Sequence, residues 1–141
     1  MTREEIIEFF AIRDAAWQRH DSTALADNHA EFGEVDSPLR GKFKGKSAIL
    51  RSYADWYASF PDSQYVTEHL LIDGNRAAQF IEMTGTQHGH FFGLPPTGKK
   101  FRMRCAFLFT FAGDKIEHEL RVYDFTGILV QLGVLKAKPG F

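Results

Sequence analysis

The chain has 141 residues, of which 44% are apolar and 25% are charged. This length and composition predict one globular domain over residues 1–141 with a single core, and they exclude disordered and collagen-like chains. The net charge of −1 provides no field that would attract nucleic acid or an anionic membrane, so we expect neither as a partner.

The cellular context is predicted from the cysteine count and the N-terminus. Cys105 is the only cysteine, which excludes an intramolecular disulfide. The N-terminus begins as a charged helix without the pattern of a secretory signal, and no segment approaches the run of about eighteen apolar residues that crosses a membrane. These features predict a cytoplasmic protein.

The first helix is predicted from its cap and its period. Thr2 and Glu5 form a capping box, in which each side chain satisfies a backbone N–H, and the helix should last to about His20. Its buried face is rich in rings and carries one charged residue, which we expect near the edge: Ile6, Phe9, Phe10, Arg13 and Trp17.

Two further helices are predicted before the chain becomes mainly strand. Asp21 lies at the start of a short helix that runs to about residue 28. Ser47 can cap a longer one, which Pro61 stops. The apolar stripe of this third helix is aromatic: Ile49, Tyr53, Trp56 and Phe60.

Strands are predicted mainly in the second half, where the hydrophobic period changes from about 3.6 residues to about 2. Turn signals separate four long strands in an antiparallel meander, with approximate limits 64–72, 76–88, 99–111 and 115–124. A short strand is expected at 31–36, a loop at 40–46 and a last helix at 126–132. Helices gathered early and strands gathered late favour an α+β fold.

The last long strand carries the sharpest local clue to a functional site. The apolar face of this strand, which we expect to be buried, is the row Ile116, His118, Leu120, Val122 and Asp124. The row has a polar residue near each end, His118 and Asp124. The other face should be exposed, with Glu117, Glu119, Arg121 and Tyr123. The preceding strand should meet the buried row with Phe101, Met103, Cys105, Phe107, Phe109 and Phe111. His118 and Asp124 would each need a partner or a purpose in such surroundings.

Two interpretations of Asp124 stay open. A carboxylate among rings is poorly solvated, which raises its pKa toward the range useful for a general acid or base. The same side chain could instead cap the helix that follows. Asp36 is a second acidic candidate at the pocket mouth, with a solvated strand end as its alternative. His118 fits a satisfied core or pocket-wall histidine better than a catalyst.

Other reactive groups are predicted to have structural roles. His88 and His90 have a spacing that could suit a metal, but no third ligand accompanies them, so we predict no metal site. Cys105 lies in a row of Phe and Met without an activating base. Motifs for a serine nucleophile and for nucleotide cofactors do not occur, so no cofactor is expected.

Two stretches of the chain resemble the SnoaL-like polyketide cyclase family. Residues 85–99 read GTQHGHFFGLPPTGK, similar to a family segment that runs Gly-Thr-His-x-Gly through Gly-x-Pro-Pro-Thr-Gly. Residues 115–133 read KIEHELRVYDFTGILVQLG, which looks like the family's last strand and helix with their Gln-Leu-Gly ending. Similar segments at 45–49 and 60–62 extend the resemblance over nearly the whole chain.

The resemblance implies an α+β cone of the NTF2-like type. In such a cone a curved antiparallel sheet, three N-terminal helices and a short C-terminal helix enclose an apolar pocket, usually in dimers or larger assemblies. The family's named activity is cofactor-free closure of the last ring of an aromatic polyketide by aldol condensation, with an Asp that corresponds to Asp124 as general acid/base. Two positions depart from the family: Gln87 replaces the His of Gly-Thr-His, and His118 stands where an acidic residue is common.

The leading hypothesis is a cofactor-independent enzyme that removes a proton next to a carbonyl of a small, mostly apolar cyclic substrate, giving aldol closure or isomerisation. Asp124 would be the base, and Gln87 or His118 would hold the enolate oxygen. The substrate-binding candidates are Trp17, Asp36, Tyr53, Trp56, His88, Phe107 and Phe109.

Two alternative functions remain open in the same pocket. One is a binding module that holds a small apolar ligand or a partner chain without catalysis. The other is a hydrolase or dehydratase, for which Asp36 and Asp124 would have to converge on one water or one leaving hydroxyl.

We also expect a homodimer or a larger assembly. The predicted outer face of the sheet mixes charged and apolar residues in a composition suited to an interface: Arg102, Arg104, Glu117, Glu119 and Arg121 with Ala106, Leu108 and Tyr123.

Overall fold

The computed structural model describes residues 1–136, which form a six-stranded sheet and four helices; residues 137–141 of the predicted domain lie outside the described residues. The α+β class is confirmed by these elements. In chain order they are α1 (Arg3–Gln18), α2 (Ser22–Asp27), β1 (His29–Ser37), β2 (Gly41–Lys44), α3 (Lys46–Ser59), β3 (Gln64–Asp73), β4 (Arg76–Thr86), β5 (Lys100–Ala112), β6 (Lys115–Tyr123) and α4 (Phe125–Gln131). None of the helices within residues 1–136 is both long and apolar enough to cross a lipid bilayer.

The sheet contains one pair of strands that the sequence did not predict to be parallel. Its order is β2-β1-β6-β5-β4-β3, and the four long strands form the predicted antiparallel meander. β1 runs parallel to β6, so the sheet is mixed and the prediction of a wholly antiparallel sheet is wrong at this pair. The first strand of the chain therefore lies beside the last, which brings residues of distant segments together.

Helix starts follow local capping chemistry in two of the three predicted cases. Glu5 N donates to Thr2 Oγ1 at 3.2 Å and Thr2 N donates to Glu5 Oε2 at 2.7 Å, which confirms the capping box of α1. Asp21 accepts a hydrogen bond from Ala24 N at the start of α2. α3 is different, because it begins one residue before Ser47 and its N-cap is Gly45, at φ 95°, with no side-chain cap.

The predicted loop at 40–46 contains the edge strand β2. It pairs antiparallel with β1 through four residues, from Ser37 opposite Gly41 to Glu34 opposite Lys44. A short, basic edge strand has little apolar periodicity, because only one of its edges is paired and charged residues protect the other. This explains why its composition resembled a loop.

The core lies between α1, α3 and the inner face of the sheet. Phe9 and Phe10 of α1 make edge-to-face contacts with Phe111 and Phe109 of β5, at ring-centroid distances of 5.1 Å and 5.0 Å. Such pairs add about 0.5–1.5 kcal/mol each to the gain from burial. These contacts fix α1 over the sheet and place the second half of the helix against the centre of the molecule.

A β-bulge in β6 reverses the predicted orientation of most of that strand. Two consecutive residues of β5 pair with His118 and Ile116, so Glu117 is an extra residue. Because strand side chains alternate, one extra residue moves every later side chain to the other face. Ile116 is buried as predicted, but beyond the bulge the inward residue is Glu119. The predicted buried row is therefore wrong at His118, Leu120, Val122 and Asp124, which are all exposed.

Candidate functional site

A cavity of about 250 Å³ lies between α3 and the inner face of the sheet. The aromatic and sulfur-bearing part of its lining includes Trp17, Tyr53, Trp56, Met83, Phe91, Phe92, Met103 and Phe107. The polar part of the lining includes Ser37, Arg40, Ser52, Asp55, Ser59, His90, Arg121 and Tyr123. Concave apolar walls with a few polar groups are the common form of a small-molecule site, and aromatic walls suit a flat ligand.

Five polar side chains, four of them buried, form a hydrogen-bonded and ion-paired group beside this cavity, which we call the arginine cluster: Arg13, His29, Tyr53, Glu119 and Arg121. The carboxylate of Glu119 is at its centre. Oε1 lies 3.3 Å from Arg13 Nη2 and 3.8 Å from His29 Nε2, and Oε2 accepts a hydrogen bond from Arg121 Nε. Two members, Tyr53 and Arg121, also line the cavity.

Arg13 lies at the centre of the buried face of α1, not near its edge as predicted, and is 0% exposed. Two of its guanidinium nitrogens are partnered: Nη2 donates to the Tyr53 hydroxyl at 2.7 Å and Nη1 donates to Asn28 Oδ1 at 3.1 Å and Leu25 O at 3.3 Å, while Nε has no partner among the described residues. Arg13 therefore joins α1, α2 and α3 and holds the Tyr53 hydroxyl in place.

The charge states in the cluster follow from burial and from neighbouring charges. Burial lowers the pKa of His29 to about 3, although the Glu119 carboxylate opposes this shift, so the imidazole is neutral at neutral pH. Burial alone would raise the pKa of Glu119, but the Arg121 and Arg13 guanidiniums outweigh it and hold the carboxyl ionised. Two guanidinium charges against one carboxylate leave the cluster with a net charge of +1.

Arg121 has hydrogen-bonding capacity that the cluster does not use. Its side chain is 14% exposed, and its guanidinium carbon lies 5.6 Å from the ring centroids of both Tyr53 and Phe107. Nε donates to Glu119, but Nη2 is buried without a hydrogen-bond partner among the described residues. Trp17 Nε1, in the cavity wall, is also buried without a partner there. Both atoms are closed to solvent, so the part of Arg121 within reach of a ligand is the exposed part of its side chain, in the wall of the cavity.

Tyr53 connects the cluster to the cavity through its hydroxyl. The oxygen accepts from Arg13 and lies 3.1 Å from His29 Nε2. His29 Nε2 also faces the Glu119 carboxylate, so the tautomer with its hydrogen on Nε2 is favoured electrostatically. In that tautomer the Tyr53 oxygen accepts two hydrogen bonds, and the hydroxyl proton is not used within the cluster.

The mouth of the cavity is bordered by Arg40. Its Nη2 donates to Asp55 Oδ2 of α3 at 2.9 Å, and its guanidinium carbon lies 4.9 Å from the ring centroid of Phe92. These contacts connect the turn after β1, the helix α3 and the segment after β4 around the opening. His90, from the same segment as Phe92, adds an exposed imidazole to the lining.

The structure places the predicted pocket-wall aromatics in two groups. Trp17, Tyr53, Trp56 and Phe107 line the cavity together, although they come from three different elements. Phe109 does not belong to the lining, because it is covered completely by the core and packs against a ring of α1.

The predicted pocket positions of Asp124 and His118 are wrong. Asp124 is exposed, is absent from the cavity lining, and accepts a hydrogen bond from Gly127 N at 2.8 Å as the N-cap of α4. Of its two interpretations, the helix cap is the one that the geometry supports. His118 is exposed on the outer face of the sheet. Both placements follow from the bulge at Glu117, which ends the regular alternation from which the buried row was predicted.

Asp36, Gln87 and His88 also lie outside the cavity lining. Asp36 alternates with two buried neighbours of β1 that face inward, so its side chain is on the outer face and does not converge with Asp124. Gln87 is 0% exposed, and its amide nitrogen donates to three carbonyl oxygens of residues 89–95 while its oxygen accepts from Thr97. It thus holds its own turn together. His88 is exposed.

Sequence reasoning missed Arg13, His29, Glu119 and Arg121 as functional candidates. One signal was present: a charged residue at position 13, four residues from each of two neighbours on a stripe of rings, requires a buried counterion in the folded chain. The identity of that counterion depended on the bulge in β6. Within residues 1–136, no group of three or more His, Cys, Asp or Glu side chains is placed to hold a metal ion.

Solved structures share this fold at low sequence identity. AclR from Streptomyces galilaeus, described as a candidate hydroxylase, is 22% identical with a TM-score of 0.85, over 99% of this chain and 91% of that one. A candidate SnoaL-like polyketide cyclase from Jannaschia sp. CCS1 is 17% identical with a TM-score of 0.80, over 94% of each chain. A protein of ketosteroid isomerase-like fold from Catenulispora acidiphila, solved with trimethylamine, is 19% identical with a TM-score of 0.76, over 99% and 100%.

The family of the chain is shown by a family model. A search of curated proteins gives no match. The model of the SnoaL-like polyketide cyclases matches residues 9–132, which include α1, the whole sheet and α4. The resemblance and the α+β cone expected from residues 85–99 and 115–133 are thus confirmed, and the chain belongs to the SnoaL-like polyketide cyclase family.

Proposed function

We propose that the chain is a cofactor-independent enzyme that removes a proton next to a carbonyl of a small, mostly apolar cyclic substrate. The observation that carries this proposal is the pair Arg121 and Tyr53, two hydrogen-bond donors in the wall of a cavity that is rich in aromatic side chains. Proton removal converts the carbonyl into an enolate, and donors fixed in a site of low dielectric stabilise that charge more than they stabilise the neutral ketone.

The remaining lining residues suggest the other roles. The aromatic walls would hold the ring, and Arg121 with Tyr53 would hold the carbonyl oxygen. Two lining groups can accept a proton, Asp55 and His90. Asp55 is paired with Arg40, so we assign proton transfer to His90. In an aldol closure the enolate carbon attacks a second carbonyl of the same substrate, and the proton on His90 passes to the new alkoxide. In an isomerisation it returns to another carbon.

This proposal replaces the base that the family resemblance assigned. The resemblance gives that role to Asp124, but the exposed carboxylate of Asp124 caps α4 and has no access to the cavity in this conformation. The two assignments make opposite predictions for one conservative variant. Asp124→Asn preserves the cap but removes the base.

Hydrogen–deuterium exchange next to a carbonyl tests the proposal without knowledge of the natural substrate. The probe is 2-tetralone in D₂O, followed by proton NMR. We expect the wild-type protein to accelerate exchange over buffer, and Arg121→Met or Tyr53→Phe to lower that acceleration roughly a hundredfold, because each removes one donor to the enolate. His90→Gln should also lower it, whereas His118→Gln and Asp124→Asn should retain it. Loss of exchange in Asp124→Asn alone would restore Asp124 as the base.

A binding module is the alternative that one observation favours. The only carboxylate in the lining formed by residues 1–136 is that of Asp55, which is engaged by Arg40, so an unpaired acidic base is missing. If 2-tetralone binds in the cavity and its exchange is not accelerated by the wild-type protein, this alternative replaces the enzyme. A hydrolase or dehydratase that uses Asp36 and Asp124 together is not supported, because neither side chain lines the cavity.

A further inference from the structure

The arginine cluster lacks one negative charge. Buried ions in proteins are normally paired, because an ion loses its hydration on burial and needs a counter-charge to compensate. Here Arg13 and Arg121 share a single carboxylate, that of Glu119, and the third potential partner, His29, carries no charge. The imbalance lies in the interior, where solvent screens it poorly.

Neighbouring charged groups do not supply the missing charge. Asp14, half-buried on α1 next to Arg13, feels the charge of the Arg13 guanidinium, but it accepts its hydrogen bonds from Thr67 at 2.8 Å and Gln79 at 3.1 Å and makes none with the cluster. At the cavity mouth, Asp55 and Arg40 form an ion pair that adds no net charge. Within residues 1–136, Glu119 is therefore the only carboxylate that is hydrogen-bonded or ion-paired with the cluster.

The unbalanced charge reaches the cavity through Arg121. This side chain lines the cavity and is 14% exposed, while Arg13 is covered completely. Trp17 and Tyr53 belong to the same walls and carry two uncharged donors, the indole N–H and the phenolic hydroxyl. Three donors of this kind, one of them charged, match the acceptor pattern of a carboxylate or a phenolate.

We propose that the substrate carries an acidic group next to its carbonyl, and that the ionised carboxylate or phenolate binds Arg121 beside the carbonyl oxygen and completes the cluster while the rings contact the aromatic walls. This inference rests on the proposed function and narrows its substrate class, from cyclic carbonyl compounds in general to those that are negatively charged at neutral pH. A neutral ketone would use the donors but would leave the net charge uncompensated.

Two probes that differ only in charge test the inference on the wild-type protein. They are 2-naphthoate and 2-naphthamide, with binding measured by calorimetry at neutral pH. We expect the acid to bind roughly tenfold more tightly or better, as a charged hydrogen bond predicts. Repeating the titration in buffers of different ionisation enthalpy should show no uptake of protons, because the acid binds in its ionised form.

A series of variants changes the charge of the cluster in steps. Arg121→Met lowers the net charge of the cluster by one, so the ratio of the affinities for acid and amide should fall close to one. Glu119→Gln raises the net charge by one, so that ratio should exceed the wild-type value. Arg104→Met is the matched control, because Arg104 is an exposed arginine that pairs with Glu68 outside the cavity. Its preference should equal that of the wild type. A melting curve for each variant shows whether it folds.

Each outcome decides the inference separately from the proposed function. Equal affinity for the two probes, tighter binding of the amide, or uptake of a proton with the acid overturns the inference, and the exchange of 2-tetralone then still decides the function. If neither probe binds to the wild type, the inference also fails. If the charge variants do not fold, the comparison on the wild-type protein decides alone.

Discussion

His29 is the residue through which pH reaches the arginine cluster. Burial lowers the pKa of its imidazole to about 3, against an ordinary value of about 6.5 in an unfolded chain. Between these two values the unfolded chain binds a proton that the folded protein does not bind. Protonation therefore favours unfolding, and the stability due to a neutral His29 is complete above about pH 6.5 and decreases as the pH falls below it.

We predict that His29 removes about 2 kcal/mol from the free energy of unfolding between about pH 8 and about pH 5. Glu119 does not add to this loss, because its lowered pKa keeps it ionised over the range. In His29→Gln, which keeps a donor but cannot titrate, the decrease should be smaller by that amount. Urea unfolding at a series of pH values measures it. The control is His118→Gln, which changes an exposed histidine and should show the same decrease in the free energy of unfolding as the wild type. If His29→Gln also shows the wild-type decrease, the prediction is wrong.

At the scale of elements, β6 shows why the fold was predictable further than the site. The ends of the long strands follow from alternation and turn residues, which are local features of the sequence. The walls on α1 and α3, such as Trp17 and Tyr53, follow from helical period in the same way. The bulge at Glu117 is not local: it arises from the pairing of two strands, and no turn residue marks it. It turns Glu119 and Arg121 inward and leaves Asp124 outside.

Two single-residue deletions test this account of the bulge. Deleting Glu117 removes the extra residue and restores regular alternation, in which Ile116 and Glu119 still point inward. We expect that variant to fold and to bind cavity probes as the wild type does. Deleting Leu120 instead moves Arg121 to the outer face and brings Val122 inward, so binding should be lost and the melting temperature should fall by many degrees. Thermal melts and naphthoate titration compare them, and equal damage by both deletions would contradict the account.

At the scale of the whole molecule, the corrected orientation of β6 changes the predicted interface. The outer face of the sheet lacks Glu119, Arg121 and Tyr123 and gains Leu120 and Val122, which are 41% and 57% exposed. The strand register aligns these with apolar residues of the neighbouring strands in two rows: Leu71, Ala78, Leu108 and Leu120, and Phe80, Ala106 and Val122. An apolar surface that spans four strands is more typical of an interaction site than of free surface.

We predict that two copies of the chain pack through this face as a homodimer. Two ion pairs border the rows, Arg102 with Glu82 and Arg104 with Glu68. The border therefore carries both positive and negative side chains, which can pair with the opposite charges of the same surface on a second copy. Leu120→Lys combined with Val122→Lys places like charges in the centre of the interface and should give a monomer in sedimentation velocity.

The control for this prediction is Ile12→Lys, which introduces one of the same charges at an isoleucine of α1 that is 56% exposed and should leave the dimer intact. A wild-type monomer at micromolar concentration would contradict the prediction. Because Leu120 and Val122 lie on the opposite face of the sheet from Arg121, the monomeric variant should still bind naphthoate with the wild-type preference over naphthamide. Loss of that preference in a folded monomer would mean that the second copy stabilises the cavity as well as the sheet.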